Sequence, residues 1–242
     1  MRLIECIKRN REAFLDQHAD AGNWAARLFS AATYSLWSAC RPIMNQNCAG
    51  LVLDAGSGRG AWRRTILESA IGYESIDIAA RGGATPTWTG DLSAMPEVPT
   101  ARYDTVVCHQ VLEHVRHPWR AFAEFHRVLK PGGIILVSVP HISRRHELPR
   151  DYFRFTQEGV VALLEDAGYV EINALPFGGL LAFLHHQVSF VFPGLVTGIP
   201  LLGTIAVIIN APFSWLFAHM DRAVDRHALI PLGVVATARK PH

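Results

Sequence analysis

The sequence has few of the features that mark metal, nucleic-acid or disulfide-linked proteins. Its four cysteines (Cys6, Cys40, Cys48 and Cys108) have neither the spacing of a zinc site nor the density of a disulfide scaffold. The net charge is only +2, and charged residues make up 18% of the chain, so there is no basic footprint for nucleic acid. Residues 1–12 are charged and lack the long apolar core of a secretory signal. We therefore expect no metal site, no nucleic-acid partner and a reducing, cytoplasmic location.

A glycine-rich segment carries the strongest signal that is present. An apolar run from Leu51 ends at Asp54, and glycines follow at alternate positions, Gly56, Gly58 and Gly60. Helical spacing of apolar residues begins at Trp62. This order predicts a buried strand, a tight turn and a helix N-terminus, where a ligand can approach the backbone N–H groups closely. Such a turn holds a nucleotide-like cofactor, but it also satisfies the loose dinucleotide fingerprint and does not choose the cofactor alone.

Strand-like and helix-like segments alternate along the rest of the chain. Strands are predicted at 51–55, 73–78, 86–89, 103–108, 134–139, 169–174 and 232–239. Helices are predicted at 60–70, from Pro118, and after an N-cap at Thr156. This alternation predicts an α/β fold, a Rossmann-like seven-stranded, mostly parallel sheet with helices on both faces. We expect residues 1–47 to form a helical cap and residues 48–242 to form the main domain.

Further motifs follow the glycine turn in a fixed order. The turn itself has the form D-x-G-x-G-x-G, and Leu112-Glu113-His114-Val115 follows the predicted fourth strand. Leu129-Lys-Pro-Gly-Gly then precedes the fifth strand. As an ordered set, these motifs resemble the class I S-adenosylmethionine (SAM)-dependent methyltransferases, in their type 11, small-molecule branch. The resemblance covers roughly residues 49–175 and implies an antiparallel last strand.

The resemblance implies SAM as the cofactor and suggests its contacts. Asp54 would reach the ammonium of the cofactor, Asp77 would bind the ribose hydroxyls after the second strand, and Asp91 would face the adenine amino group. The predicted cofactor-binding residues are Asp54, Gly56, Ser57, Gly58, Gly60, Asp77, Ile78, Asp91, Leu92 and His109.

Three histidines follow the fourth and fifth strands, where the acceptor side of this fold lies. Methyl transfer mainly needs the reactants to be positioned, and an oxygen or nitrogen acceptor can also need a general base. The histidines titrate near neutrality, and we rank them as bases in the order His141, His109 and His146. The alternative for each is a surface or hydrogen-bonding role. Glu113 and His114 are expected to be structural or to support the cofactor.

The segment from His146 to Thr156 resembles a P-x-D-Y-x-R-F-T stretch of bacterial methyltransferases in this branch. Tyr152 and Arg154 are predicted to line the acceptor pocket, with Arg154 binding an anionic group. The alternative is that the segment orients the loop after strand five and caps the next helix.

Charge is absent from a long segment between the last two strands. From Ile172 to Met220 the chain has no Asp, Glu, Lys or Arg, and we assign an apolar insertion at 177–229. A surface this apolar needs a cover, which is a membrane contacted through 177–219, a hydrophobic substrate or a second copy in a homodimer. Both ends of the insertion join one sheet, so a single membrane crossing is excluded, and a peripheral, re-entrant or in-plane helical hairpin is favoured.

The sequence thus predicts a SAM-dependent methyltransferase. Its acceptor would be an oxygen, nitrogen or carbon atom of a small or lipid-linked molecule, at the cytoplasmic face of a membrane. The alternative is a non-catalytic, membrane-associated or scaffolding subunit with the same fold. A dehydrogenase is disfavoured by the Leu-Glu-His and Pro-Gly-Gly elements.

Overall fold

The computed structural model describes residues 5–7, 9–10, 24–196, 199–225 and 228–242. The chain divides into two compact units. The sheet unit comprises Cys40–Pro176 and Gly233–His242, and the helical unit comprises Met1–Ala39 and Phe177–Leu232.

Seven strands form one sheet in the order β3-β2-β1-β4-β5-β7-β6. Their bounds are β1 Leu51–Ala55, β2 Gly72–Asp77, β3 Trp88–Thr89, β4 Tyr103–His109, β5 Leu129–Pro140, β6 Val170–Phe177 and β7 Gly233–Arg239. The pairs β1–β2, β1–β4, β2–β3 and β4–β5 are parallel, and β5–β7 is antiparallel. The predicted fold class, a mostly parallel seven-stranded α/β sheet, is confirmed.

Seven α-helices whose bounds lie within the described residues accompany these strands. They are α1 Trp24–Arg27, α2 Ala31–Asn47, α3 Arg63–Ile66, α4 Pro118–Val128, α5 Gln157–Asp166, α6 Leu180–Val196 and α7 Pro200–Val224. The side chain of Thr156 accepts a hydrogen bond from the Gly159 N–H at 3.0 Å, so the predicted N-cap of α5 is confirmed.

Helix α3 is shorter than the helix predicted at 60–70. Trp62 precedes it without a side-chain cap, and Arg63 and Arg64 place positive charge at the positive end of the helix dipole. The remaining residues form turns.

The central strands and α4 supply the core of the sheet unit. Leu53, Val106 and Ile135 are fully buried, as are Phe122 and Phe125 of α4. Central parallel strands are covered on both faces, which explains why they are nearly continuous apolar runs in the sequence. This packing holds the carboxyl ends of β1, β2 and β4 in place, and the loops that follow them form the site described below.

Several polar side chains of the helical unit are buried, and many apolar ones are exposed. Helices α6 and α7 pack on each other. Within the unit, Asn210 Nδ2 donates to the Phe29 carbonyl at 2.7 Å, and Ser214 Oγ donates to the Leu28 carbonyl at 2.8 Å. The carboxylate of Asp221 on α7 accepts the N–H groups of Leu181 and Ala182 at the start of α6, at 2.7 and 2.9 Å.

The outer residues of this hairpin are apolar and exposed. They include Phe192, Leu201, Ile208, Ile209 and Phe213. The segment Leu201–Asp221 is long and apolar enough to cross a membrane, with a mean hydropathy of 1.8, and only 17% of it is buried. It therefore differs from the core helix of a globular domain, which has the same composition but is mostly buried.

Candidate functional site

A cavity of about 810 Å³ lies in the sheet unit, at the loops that follow β1, β2, β3 and β4. This volume is in the range of small-molecule sites, roughly 300–1,000 Å³. One group of lining residues lies at the ends of the four strands or directly after them: Gly56, Gly58, Asp77, Ile78, Gly90, Asp91, Leu92, His109, Gln110 and Val111. A second group lies farther along the chain from the strand ends: Arg81, His114, Val115, Arg116, Glu147, Leu148, Pro149, Arg150 and Tyr152.

Two glycines of the turn after β1 have different reasons to be glycine. Gly56 has φ +77°, and a Cβ there would lie 2.4 Å from Val111 Cγ1, so a side chain fits neither the backbone nor the space. Gly58 has φ +56°, and a Cβ there would meet no atom of the described protein within 4 Å. The backbone at Gly58 is therefore open to a molecule in the cavity.

Asp77 connects the end of β2 to this turn. Its carboxylate accepts the N–H of Gly58 and the N–H of Ile78, each at 2.7 Å. Asp77 is 7% exposed and lines the cavity, which places acceptor oxygens beside the open turn.

Asp54 lies beneath the turn and is not among the described residues that line the cavity. It is buried, and its carboxylate accepts a hydrogen bond from the Tyr73 hydroxyl at 2.8 Å. Burial raises the pKa of Asp54 to about 7. Ser57 and Gly60 also lie off the lining and shape the turn, because the Gly60 N–H donates to the Ser57 carbonyl at 2.8 Å.

The loops after β2 and β3 contribute an apolar wall with one carboxylate. Ile78 is a partly exposed apolar side chain, and Leu92 is buried behind the surface. Asp91 Oδ1 accepts the N–H and the hydroxyl of Ser93 at 2.8 and 2.7 Å, which fixes this acid at the cavity.

His109 lines the cavity as a neutral ring. Its Nδ1 lies 2.9 Å from Ser138 Oγ, and its ring centroid lies 4.7 Å from that of Trp62. Its buried Nε2 has no hydrogen-bond partner among the described residues. Burial lowers the pKa of His109 from 6.5 to about 3, and a group with so low a pKa is a weak general base at neutral pH.

The other two predicted bases lie outside the cavity lining. The Nδ1–H of His141 donates to the Phe155 carbonyl at 2.9 Å, so this ring holds the loop after β5. His146 instead meets His114, a lining residue, with 3.1 Å between their Nε2 atoms.

The buried side chain of Glu113 lies close to the Nε2 atoms of both His114 and His146. Its Oε1 lies 3.8 Å from His114 Nε2 and 3.9 Å from His146 Nε2. The side chain is fully buried, and neither carboxylate oxygen has a hydrogen-bond partner in the part of the chain that the structure describes. Burial raises the pKa of Glu113 to about 8. Glu113, His114 and His146 are called the Glu-His-His cluster below.

Tyr152 lines the cavity and Arg154 does not. The guanidinium of Arg154 donates to both carboxylate oxygens of Asp151 at 2.6 and 3.0 Å and to carbonyls of the surrounding loop. Its donors are therefore used within the loop, which agrees with the alternative that the segment orients this loop.

Several lining residues were not found from the sequence. Arg116 and Arg150 face the cavity, and their side chains make no ion pair with any residue that the structure describes. Gln110 adopts φ +54°, rare for a residue other than glycine, and its N–H donates to the Ser138 carbonyl at 2.8 Å. The position of Gln110 directly after β4 was the available signal for it.

Comparisons with known proteins agree on one family. A model of the methyltransferase domain matches residues 15–171. A probable S-adenosylmethionine-dependent methyltransferase of Mycolicibacterium smegmatis is 34% identical over 137 residues, which are 50% of this chain and 53% of that protein. This match therefore spans about half the length of that relative. A probable S-adenosylmethionine-dependent methyltransferase of Mycobacterium tuberculosis is 28% identical over 78% of this chain and 77% of its own.

Solved structures share the fold. The Burkholderia thailandensis 1,6-didemethyltoxoflavin-N1-methyltransferase, with S-adenosylhomocysteine bound, has a TM-score of 0.51 and 18% identity, over 84% of this chain and 77% of that chain. The Haemonchus contortus phosphoethanolamine N-methyltransferase 2, with S-adenosyl-L-methionine bound, has a TM-score of 0.52 and 15% identity, over 85% of this chain and 53% of that chain.

Proposed function

This chain belongs to the methyltransferase-domain family, and we propose that it transfers the methyl group of SAM to a small acceptor that carries an anionic group. The family predicted from the sequence, with SAM as its cofactor, is confirmed by the matched relatives. The observation that carries the proposal is that one cavity is lined both by the glycine turn with Asp77 and by two arginines without ion-pair partners among the described residues.

The first group of lining residues suits the cofactor. The Asp77 carboxylate would accept the ribose hydroxyls beside the open backbone of Gly58. Ile78 and Leu92 would pack on the adenine, and Asp91 would accept from its amino group. Asp54 would balance the ammonium from beneath the turn, because a nearby cation favours the charged form of a carboxyl group.

The second group suits the acceptor. Guanidinium groups bind phosphate and carboxylate through paired hydrogen bonds, and Arg116 and Arg150 have donors to spare at the cavity. Tyr152 adds a partly exposed aromatic ring. Arg154 acts as a positioning residue, since its bonds to Asp151 and the loop carbonyls hold the segment that carries Arg150 and Tyr152.

The reaction follows from this arrangement. An electron pair of the acceptor, on oxygen or nitrogen or in a π bond of an activated carbon, attacks the methyl carbon of SAM. The carbon–sulfur bond breaks with its electron pair on sulfur, and an acceptor that carried hydrogen at the attacking atom releases a proton to water. The contribution of the protein is to hold the two molecules in line in one cavity. His109 is a neutral wall of that cavity rather than a base, because of its low pKa.

Paired acceptors test the proposal. The full chain is assayed for transfer of labelled methyl from SAM to molecules that differ only in a phosphate or carboxylate group. The R150Q and R116Q variants should raise the KM for the anionic acceptor by about 10- to 100-fold, as expected for a lost charged hydrogen bond. The KM for SAM should stay the same, and R120Q, on the exposed surface of α4, is the matched control. Equal turnover of the neutral partner would refute the anionic acceptor. SAM binding without transfer to any acceptor would favour the non-catalytic alternative.

We also infer that the helical unit contacts a lipid bilayer in the plane of its surface, where the protein would reach a lipid-linked acceptor. The support is that polar side chains of the unit, His185, Ser189 and Ser214, are buried, whereas many apolar side chains of α7 are exposed. This is the reverse of the arrangement in a water-soluble domain. Polar residues face the interior of helix bundles that sit in lipid, where water does not satisfy them. The alternatives are that a second copy in a homodimer, or a hydrophobic substrate, binds this apolar surface.

Vesicle flotation tests whether a lipid bilayer, rather than a second copy of the chain or a substrate, contacts the exposed apolar surface. The wild-type chain should float with vesicles of phosphatidylethanolamine and phosphatidylglycerol, and the L201Q/I209Q double variant should not. Ile71 is an exposed apolar residue of the sheet unit, so I71Q is the matched control and should float as wild type does. A stable dimer by light scattering that the double variant dissociates, with no flotation of wild type, would contradict the membrane proposal.

A further inference from the structure

Three atoms of the Glu-His-His cluster that could each bind a metal ion lie within 3.9 Å of one another. The distances are 3.1 Å between His114 Nε2 and His146 Nε2, and 3.8 and 3.9 Å from these atoms to Glu113 Oε1. Two ligand atoms of one tetrahedral zinc ion, each at 2.0–2.2 Å from the metal, are separated by roughly 3.3 Å. We propose that Glu113, His114 and His146 bind a divalent transition-metal ion, with Zn²⁺ preferred, at the wall of the cavity.

The tautomers of the two rings are fixed by their outer hydrogen bonds. His114 Nδ1 lies 2.6 Å from the Arg150 carbonyl, and His146 Nδ1 lies 3.1 Å from the Arg144 carbonyl. A carbonyl oxygen only accepts, so both Nδ1 atoms carry hydrogen. In two neutral rings, two Nε2 atoms that each carry a lone pair would then lie 3.1 Å apart, and a cation bound to both would remove their repulsion. Ring N–H donation to a backbone carbonyl is also how metal-bound histidines are oriented.

Glu113 would add the negative charge that such a site needs, because a bound cation favours the charged form of a neighbouring carboxyl group. It is fully buried, and both oxygens are without hydrogen-bond partners among the described residues. An unpartnered carboxylate in the protein interior is costly, and buried charges are normally paired or coordinate metals. Two imidazoles and one carboxylate are an established ligand set for catalytic zinc.

A proton shared by the two histidine rings is the alternative to a metal ion, but it accounts for only one of the three short distances. One protonated imidazole would satisfy the 3.1 Å contact between the Nε2 atoms. It would leave Glu113 Oε1 at 3.8 and 3.9 Å from the rings, which is too long for a hydrogen bond. A metal ion satisfies all three groups at once.

The role that we assign to the ion in methyl transfer rests on the proposed function, whereas binding of the ion to the cluster does not. His114 lines the cavity, so an open coordination position would face the acceptor beside Arg150 and Tyr152. An acceptor hydroxyl bound there releases its proton to water more readily, because the metal stabilises the oxygen anion. That oxygen then forms the bond to the methyl carbon while the carbon–sulfur bond breaks and its electron pair stays on sulfur.

Metal titration of the purified full chain after removal of bound ions by a chelator tests the site. Calorimetry with Zn²⁺ should show one tight site, and Co²⁺ should give the visible absorption of a tetrahedral complex. The E113Q and H146Q variants should each weaken Zn²⁺ binding by at least about 10-fold, because loss of even a hydrogen-bond partner of a metal ligand costs roughly 10- to 100-fold in affinity. H219A is the matched control, because the His219 ring is also bonded through Nδ1 to a carbonyl, that of Trp215 at 2.7 Å, outside the cluster.

Binding of S-adenosylhomocysteine to each variant is measured in parallel and reports that the cavity is folded. Unchanged Zn²⁺ affinity in folded E113Q and H146Q would overturn the metal site, and the proposed function would stand. Zn²⁺ binding to a wild-type chain that fails to bind S-adenosylhomocysteine would instead contradict the proposed function and leave the metal site standing.

Discussion

The carboxylate of Asp77 accepts the N–H of Gly58 at 2.7 Å, so the end of β2 holds the glycine turn that follows β1. The two strands are parallel neighbours, which brings their carboxyl ends to the same edge of the sheet. The same carboxylate lines the cavity and is the group that we assign to the ribose of SAM.

Loss of this carboxylate should weaken cofactor binding. In D77A the ribose hydroxyls would lose a charged acceptor, and we expect the Kd for S-adenosylhomocysteine to rise by about 10- to 100-fold. Calorimetry checks this. D166N, which removes an exposed charge from α5, is the control and should bind as wild type does. Unchanged affinity in D77A would rule out the ribose assignment.

The two turn glycines should respond differently to alanine. G56A combines a left-handed backbone angle with a Cβ that would lie 2.4 Å from Val111 Cγ1, and we expect a loss of about 2–4 kcal/mol from both effects. G58A has the angle without the clash and should cost about 1–2 kcal/mol. Urea unfolding measures both. Adding V111A to G56A should recover the part due to the clash, and equal losses in the two single variants would contradict the packing at Gly56.

Because of His109, the free energy of unfolding should depend on pH below about 6.5. The unfolded chain takes up a proton near the ordinary pKa of 6.5, whereas the folded chain does so only near 3. The folded state therefore loses stability as the pH falls from 6.5 towards 3, by at most about 1.4 kcal/mol per pH unit. The H109Q variant lacks this term, so the difference between its unfolding free energy and that of wild type should change with pH between 7 and 5. A difference that stays constant across this range would show that the ring is not buried as a neutral group.

Asp221 should stabilise the helical unit without affecting the cavity. Its carboxylate accepts two N–H groups at the start of α6, and loss of a helix cap costs about 0.5–2 kcal/mol. D221A should lower the melting temperature and leave binding of S-adenosylhomocysteine unchanged, while D221N, which keeps one acceptor oxygen, should lose less. Equal melting temperatures for wild type and D221A would contradict the capping role.

The sheet and the glycine turn could be predicted from the sequence because their signals are local. The apolar run before Asp54 and the alternate glycines lie in one short segment, and strand periodicity does not depend on distant contacts. The helix predicted at 60–70 was too long because apolar spacing does not reveal a missing cap or two arginines at the first turn. The apolar insertion was evident from its lack of charge, but the inward direction of Asn210 and Ser214 depends on contacts with Phe29 and Leu28.

The second group of lining residues, which we propose for the acceptor, was harder to predict because it lies on loops. His114 and His146 are 32 residues apart, and the loop after β5 brings them together through bonds to backbone carbonyls that sequence spacing does not encode. The absence of a metal site was predicted from sequence-local ligand patterns, which do not detect such a cluster. Arg154 was predicted to bind an anionic group because it matches a motif, but in the structure its guanidinium donates to the carboxylate of Asp151.

Calorimetric titration of the purified chain with S-adenosylhomocysteine, with NAD as the control ligand, tests the central claim most directly. We predict saturable binding of S-adenosylhomocysteine at one site per chain, about 10- to 100-fold weaker in D77A, and no binding of NAD. Binding of NAD in its place, or binding of S-adenosylhomocysteine that D77A leaves unchanged, would contradict the assignment of this cavity to SAM.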